Sequence, residues 1–350
     1  MTPKRPQNTL LLFLTLSVVS MLDACSQQSS SNLKNDPGAL ITWPPAPAVP
    51  RIKHIGVLAQ PSDLGITKGF LDRIYELAIG KEDNGMVLPM AIVENDQKQL
   101  FVADPGIKAI HRFDRREGQY KSIKRAGGKD FDTPVGLATD KAGNIYIADS
   151  ELAKIFIINV NDNEALPVAL DGNFVRPTGI AVDNDTGWIY VVDTGLHKIS
   201  VFNANRTLLK NIGRRGTGEG EFNFPTYIWK NRHGELLVTD SLNFRIQRFD
   251  RHGNFIDEFG KPGNAIGDFS RPKGVAEDRY GHIYVVDSLF HNVQLFDESG
   301  SQLMDFGNQG SKAGEFWLPV GIYIADDDTI YLCDSYNQRV QIFKYIGVEQ

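Results

Sequence analysis

The sequence predicts an all-β fold, a six-bladed β-propeller of four-stranded antiparallel blades. Three observations predict it. A proline-led stretch recurs six times, starting at Pro89, Pro134, Pro177, Pro225, Pro272 and Pro319. An aspartate closes the second apolar run of each copy, at Asp104, Asp149, Asp193, Asp240, Asp287 and Asp334, so successive aspartates lie 45, 44, 47, 47 and 47 residues apart. Within each run polar and apolar residues roughly alternate, the period of a strand and not of a helix. A repeat in the forties that holds several strands signals a propeller blade.

From the start of the chain, residues 1–24 read as a signal peptide. Lys4 and Arg5 form a basic start, and the uncharged stretch from Thr9 to Leu22 is shorter than the span of about 20 residues that a bilayer needs. Leu22-Asp23-Ala24-Cys25 resembles a bacterial lipobox, with Asp23 atypical in it. The resemblance implies a lipidated Cys25, stably anchored because several acyl chains share one residue. Ser26 after it implies sorting to the outer membrane. Residues 25–50 read as a polar and proline-rich tether, with Trp43 to Pro50 extended as a semi-rigid spacer. Residues 51–350 are the propeller. The run from Arg51 to Leu58 reads as a strand, and the sixth copy ends without a fourth strand of its own. Residues 51–58 are therefore expected to complete blade six and close the ring. Apolar residues at 70, 71, 74, 77 and 78 predict a short helix before blade one, a cap on the propeller face.

Four copies carry Pro-x-Gly, at Pro134, Pro177, Pro272 and Pro319, while Ala91 and Tyr227 replace the glycine in the first and fourth. Second strands read Ile-Tyr-Val-Val-Asp193 and Ile-Tyr-Val-Val-Asp287, and third strands end at Phe113, Phe202, Phe249, Phe296 and Phe343. This pattern resembles the NHL repeat of six-bladed propellers, over roughly residues 85–346. The resemblance implies the fold. For function it leaves protein binding, RNA binding and lyase chemistry open.

Composition narrows that choice. The net charge of −6 argues against a nucleic-acid partner. Cys333 lies in a predicted strand and reads as a core residue, not a reactive thiol. The loops after Gly213, Gly260 and Gly307 each hold a phenylalanine nine residues on, at Phe222, Phe269 and Phe316, expected to wedge between blades. Five residues beyond the aspartate stand Lys154, Lys198, Arg245 and Arg339, expected to clamp that turn. His197 and His291 precede two of these positions and are the candidate metal residues, although zinc needs further ligands. Asp183-Asn-Asp185 and Asp326-Asp-Asp328 offer oxygens for calcium but suit plain hairpin turns better.

The leading expectation is a monomeric, lipid-anchored propeller of a bacterial envelope. It presents its long-loop face to a protein partner and needs no cofactor. The binding candidates are Arg214, Arg215, Asn243, Phe244, Phe290 and Trp317. The alternative is a metal-dependent lyase or hydrolase with zinc or calcium at the central channel. Cys25→Ser is expected to release the protein from the membrane fraction or leave it unprocessed, as fractionation and lipid labelling will show.

Overall fold

The computed structural model describes residues 41–66, 85–159, 165–170 and 172–347. The signal peptide, Cys25 and the expected helix at residues 69–79 lie outside the described residues. Among the described residues six sheets follow one another along the chain, antiparallel except for the parallel Ala126–Ala165 pair in blade two. Blade three is typical, with strands Pro177–Asp183, Trp188–Asp193, Lys198–Phe202 and Leu208–Ile212 in consecutive order. Blades one, four and five repeat that order. Blade two adds a small hairpin, Arg125–Ala126 with Lys129–Asp130, beyond its fourth strand Ala165–Pro167.

Blade six draws on both ends of the described chain. Ile322–Ile324, Thr329–Asp334 and Arg339–Tyr345 supply three strands, and Ile52–Leu58 pairs antiparallel with Arg339–Tyr345 as the fourth. The closing strand is where the sequence places it. The proline-rich segment differs from its expectation as an extended spacer. Thr42–Trp43 pairs with Ile52 and Lys53 as a fifth strand, and the chain turns back between them. The Trp43 ring explains the return. It lies 5.7 Å from the Phe306 ring and 5.8 Å from Phe343, so an aromatic contact with its buried apolar area holds the segment to the ring.

The core lies between blades. Each first strand packs against the first strand of the next blade around a central axis. The Pro-x-Gly glycine makes this approach possible. A Cβ at Gly136 would stand 1.8 Å from the Thr178 carbonyl oxygen, and one at Gly321 would stand 2.3 Å from that of Met90. Toward the rim, Phe222, Phe269 and Phe316 are fully buried against the third-strand rings Phe249, Phe296 and Phe343, at 5.7, 5.6 and 5.8 Å. They wedge between blades as the sequence implies. Cys333 is wholly buried, and burial pushes its thiol up, out of the reactive range.

Deleting residues 51–58 exposes the edge at Arg339–Tyr345 and removes buried Ile52 and Leu58. The truncated protein is expected to lose its single sharp thermal transition and to aggregate, measured by calorimetry and light scattering.

Candidate functional site

Each first strand begins and each second strand ends on one face, which also carries the long inter-blade loops. Two local devices shape this face. The first is the turn after the second-strand aspartate. In all six blades the fourth residue beyond the aspartate takes a left-handed backbone, with φ between 52° and 58° at Lys108, Ala153, His197, Phe244, His291 and Gln338. Non-glycine residues rarely adopt this conformation. It recurs because the buried aspartate organises the turn: Asp193 accepts the N–H of Leu196, and Asp287 those of Leu289 and Phe290.

The second device is the residue before the first-strand proline, at the mouth of the channel. In blades one, two, three and five its N–H is donated to the blade's own aspartate, as from Arg176 to Asp193 at 3.0 Å. In blades four and six it is not. There Phe224 and Leu318 turn to φ 53° and 47°, a strained choice before proline. Their N–H groups point to the preceding blade instead, to Nδ1 of His197 and of His291, both at 3.1 Å. The two histidines thus satisfy two backbone donors that the aspartates leave over. The Phe224 ring stands edge-on to His197 at 4.6 Å.

These contacts recast the metal candidates. His197 and His291 already use Nδ1 on the protein. Among the described residues no group of three His, Cys, Asp or Glu side chains is placed to hold a metal. On the hairpin face Asp183 pairs with Lys230 at 3.0 Å, Asp328 with Arg279 at 2.6 Å and Asp327 with Lys344 at 3.4 Å. Most of these ties bridge neighbouring blades.

The loop-face candidates divide. Asn243 donates to the Gly216 carbonyl and to Asp240, and Phe244 packs against the cluster around Phe269. Both serve the fold. Phe290 is half-buried. Arg214 is open to solvent and pairs with Glu221 at 2.8 Å; Arg215 and Trp317 are exposed. The expected clamp is present where the residue is arginine: Arg245 meets Asp240 at 2.9 Å and Arg339 meets Asp334 at 2.8 Å.

The axis itself is plugged. Tyr227, which replaces a Pro-x-Gly glycine, reaches from blade four to blade one and donates to the Met90 carbonyl at 3.1 Å. Trp229 meets the Tyr323 ring at 5.9 Å, and the Tyr323 hydroxyl donates to the Glu94 carbonyl at 3.0 Å. Aromatic side chains thus bridge the axis between opposite and neighbouring blades. The position after each first-strand proline forms a column near the start of these strands. In ring order this is Met90, Val135, Thr178, Thr226, Lys273 and Val320. Lys273 is the only charge among them. Burial, with Arg271 and then Arg176 as like charges, pushes its ammonium down to about 8. Sequence reasoning passed over Lys273. The signal was present as a lone lysine in an otherwise uncharged column.

The family model of the NHL repeat matches residues 174–202 and 316–343, the first three strands of blades three and six. The protein is a six-bladed β-propeller with NHL repeats. Solved structures resemble it over about three quarters of the chain. A streptogramin B lyase structure is 15% identical with a TM-score of 0.57, covering 74% of this chain and 94% of that one. Virginiamycin B lyase from Staphylococcus aureus is 16% identical with a TM-score of 0.56, covering 74% of this chain and 96% of that one. An auxiliary nutrient binding protein from Bacteroides thetaiotaomicron is 12% identical with a TM-score of 0.60, covering 76% of this chain and 71% of that one. At these identities the likeness is one of fold.

Two expectations follow. His197→Ala leaves the Phe224 N–H without its acceptor and is expected to cost about 1–3 kcal/mol, read by denaturant titration. Lys273 holds its proton less tightly folded than unfolded, with a folded pKa of about 8 against 10.5. Its charged form therefore opposes folding, fully below that folded value and progressively less above it. Lys273→Met is expected to melt above the wild type near neutral pH, with the gap narrowing as pH rises toward 10.5.

Proposed function

We propose that this protein is a lipid-anchored envelope propeller that binds a protein partner on its long-loop face. The observation that carries this reading is the apolar side chains left open there. Val175, Phe224, Ile266, Leu289, Trp317 and Tyr336 are exposed on this face, Ile266 at 89%, Tyr336 at 58% and Trp317 at 49%. They come from blades three to six and from the links that lead into them. Large apolar groups arrayed on one face mark an interaction surface, and an aromatic pair such as Trp317 and Tyr336, at 6.5 Å, has the composition of a binding hot spot.

The face also suggests the partner's chemistry. Arg176, Arg215, Arg271 and Lys312 are exposed on it, although the chain as a whole is acidic. An apolar partner surface with an acidic rim complements this arrangement. The Cys25 motif supports placing that meeting at a membrane.

A photo-crosslinking residue at position 289 or 317, introduced in cells, is expected to yield one discrete adduct. The same residue at Tyr280, on the hairpin face, is not. Ile266→Ser combined with Trp317→Ser should weaken binding of the purified partner tenfold or more, with the melting temperature nearly unchanged. Adducts from position 280 and none from 289 or 317 would move the interface to the opposite face.

A further inference from the structure

On the hairpin face, five of the six seams between blades are tied by a direct polar contact among the described residues. Asn95 donates to the Gly143 carbonyl at 3.4 Å, the Lys141 N–H to Asn184 at 2.9 Å and Asn231 to Glu277 at 3.1 Å. Lys230 pairs with Asp183 at 3.0 Å, and Arg279 with Asp328 at 2.6 Å. The seam that closes the ring, between blades six and one, is built differently. Its ties run through buried phenols: the Tyr331 hydroxyl donates to the Glu94 carboxylate at 3.2 Å, and the Tyr323 hydroxyl to the Glu94 carbonyl at 3.0 Å. Over them lies a cavity of about 410 Å³, walled by Ile55, Glu94, Arg115, Asp327, Tyr331 and Ile342.

The walls differ in chemistry. Ile342 is buried, while Ile55 is exposed because a bulge between His54 and Gly56 leaves it outside the ladder. Glu94 is already engaged, by Lys98 at 2.7 Å and by Tyr331. Asp327 is less fully used. One of its oxygens accepts the Thr329 N–H, and the other keeps a loose tie to Lys344 at 3.4 Å. Arg115 is exposed, and its guanidinium makes no hydrogen bond or ion pair among the described residues. No ion pair among the described residues crosses the cavity from blade one to Asp327. The recess therefore brings together an unused cation, a partly used anion and an apolar wall.

We infer that this cavity binds a small apolar zwitterion, an amino acid or dipeptide with an aliphatic side chain. Arg115 takes the carboxylate, Asp327 takes the ammonium, and Ile55 and Ile342 hold the side chain. A guanidinium fork matches the two oxygens of a carboxylate, and an ammonium brings three donors to an acceptor-only group. A simple acid would set its charge against Glu94 and Asp327, and a simple amine would set its charge against Arg115; like charges facing each other are costly. The volume is that of a small-molecule site, in which an apolar wall and a few polar groups fix orientation. The bound molecule joins Arg115 of blade one to Asp327 of blade six, the kind of tie that the other seams make directly. Binding thus reinforces ring closure. The site lies opposite the long-loop face and does not depend on a partner docking there.

Calorimetric titration and thermal melting of the full-length protein in detergent test this with leucine and leucyl-leucine. At least one is expected to bind saturably and to raise the melting temperature. N-acetylleucine lacks the ammonium and leucinamide lacks the carboxylate, so neither is expected to bind. Glycine should bind tenfold more weakly or worse. Arg115→Ala and Asp327→Asn should each weaken the ligand tenfold or more, with the unliganded melting temperature nearly unchanged because both side chains are exposed. Absence of binding by both probes, or binding that Arg115→Ala leaves unchanged, overturns the proposal. N-acetylleucine binding as well as leucine would make the cavity a site for simple acids, and leucinamide doing so would make it a site for amines; either result overturns the zwitterion. Should Arg115→Ala melt below the wild type, Ile55→Ser at the exposed bulge decides. It should abolish the preference for leucine over glycine, and a preserved preference overturns the assignment of the apolar wall.

Discussion

The structure depends on a buried carboxylate. Asp104, Asp149, Asp193, Asp240, Asp287 and Asp334 are wholly inaccessible to solvent, and a buried anion persists only if fully engaged. Each accepts from the backbone of the link that arrives from the previous blade. Val87 and Leu88 donate to Asp104 at 2.7 and 3.0 Å, Val175 and Arg176 to Asp193 at 2.7 and 3.0 Å, and Trp317 to Asp334 at 2.8 Å. The next residue fastens the following blade. Thr194 donates to the Pro225 carbonyl, Ser241 to that of Pro272, Ser288 to that of Pro319 and Ser335 to that of Pro89. In blades three to six one aspartate and one hydroxyl thus couple the link behind to the blade ahead. Blade one has Pro105 in the hydroxyl position, and in blade two Ser150 donates to the Thr133 carbonyl of its own link. In blade one His111, also fully buried, takes the place held by Gln247 in blade four and Gln341 in blade six. Burial alone would raise the Asp104 carboxyl, but the His111, Val87 and Leu88 hydrogen bonds outweigh it and hold it below its usual range.

Most of the ring was legible in the sequence because the repeat is local and regular. The period gives the blades, the aspartate gives the end of each second strand, and the spacing of Phe222, Phe269 and Phe316 gives the wedges. The closing strand was legible by elimination, since blade six lacks a fourth strand of its own. Features that depend on another part of the ring were not legible. The fold-back at Trp43 answers to rings at Phe306 and Phe343, roughly 260 and 300 positions away. Nothing in a run of prolines reports such a contact.

The site was less legible for the same reason. His197 and His291 stand out in one dimension as a pair of ligating side chains. Their roles are set by a backbone reversal in the following blade, at Phe224 and Leu318, which composition does not encode. Tyr227 was visible as a departure from Pro-x-Gly. Its meaning appears only once six first strands surround an axis, because its hydroxyl then finds a carbonyl on the opposite blade. Lys273 was the easiest to find and the easiest to pass over. A lysine beside a glycine reads as a solvated turn until the ring is seen to half-bury it.

The pairing of Ile52–Leu58 with Arg339–Tyr345 also sets an order of events. Ile52 meets Tyr345 and Leu58 meets Val340, so blade six joins segments separated by nearly the whole ring. Blades three, four and five are assembled from neighbours in the chain and can form as soon as their own residues exist. Blade six cannot. Loop closure over that distance is among the slowest pairings a chain makes, and the strand that waits for it carries unpaired backbone groups meanwhile. Ring closure is therefore expected to be the last pairing to form. Until it happens, the open edge of Arg339–Tyr345 can accept any other extended strand, including the Ile52–Leu58 strand of a second copy.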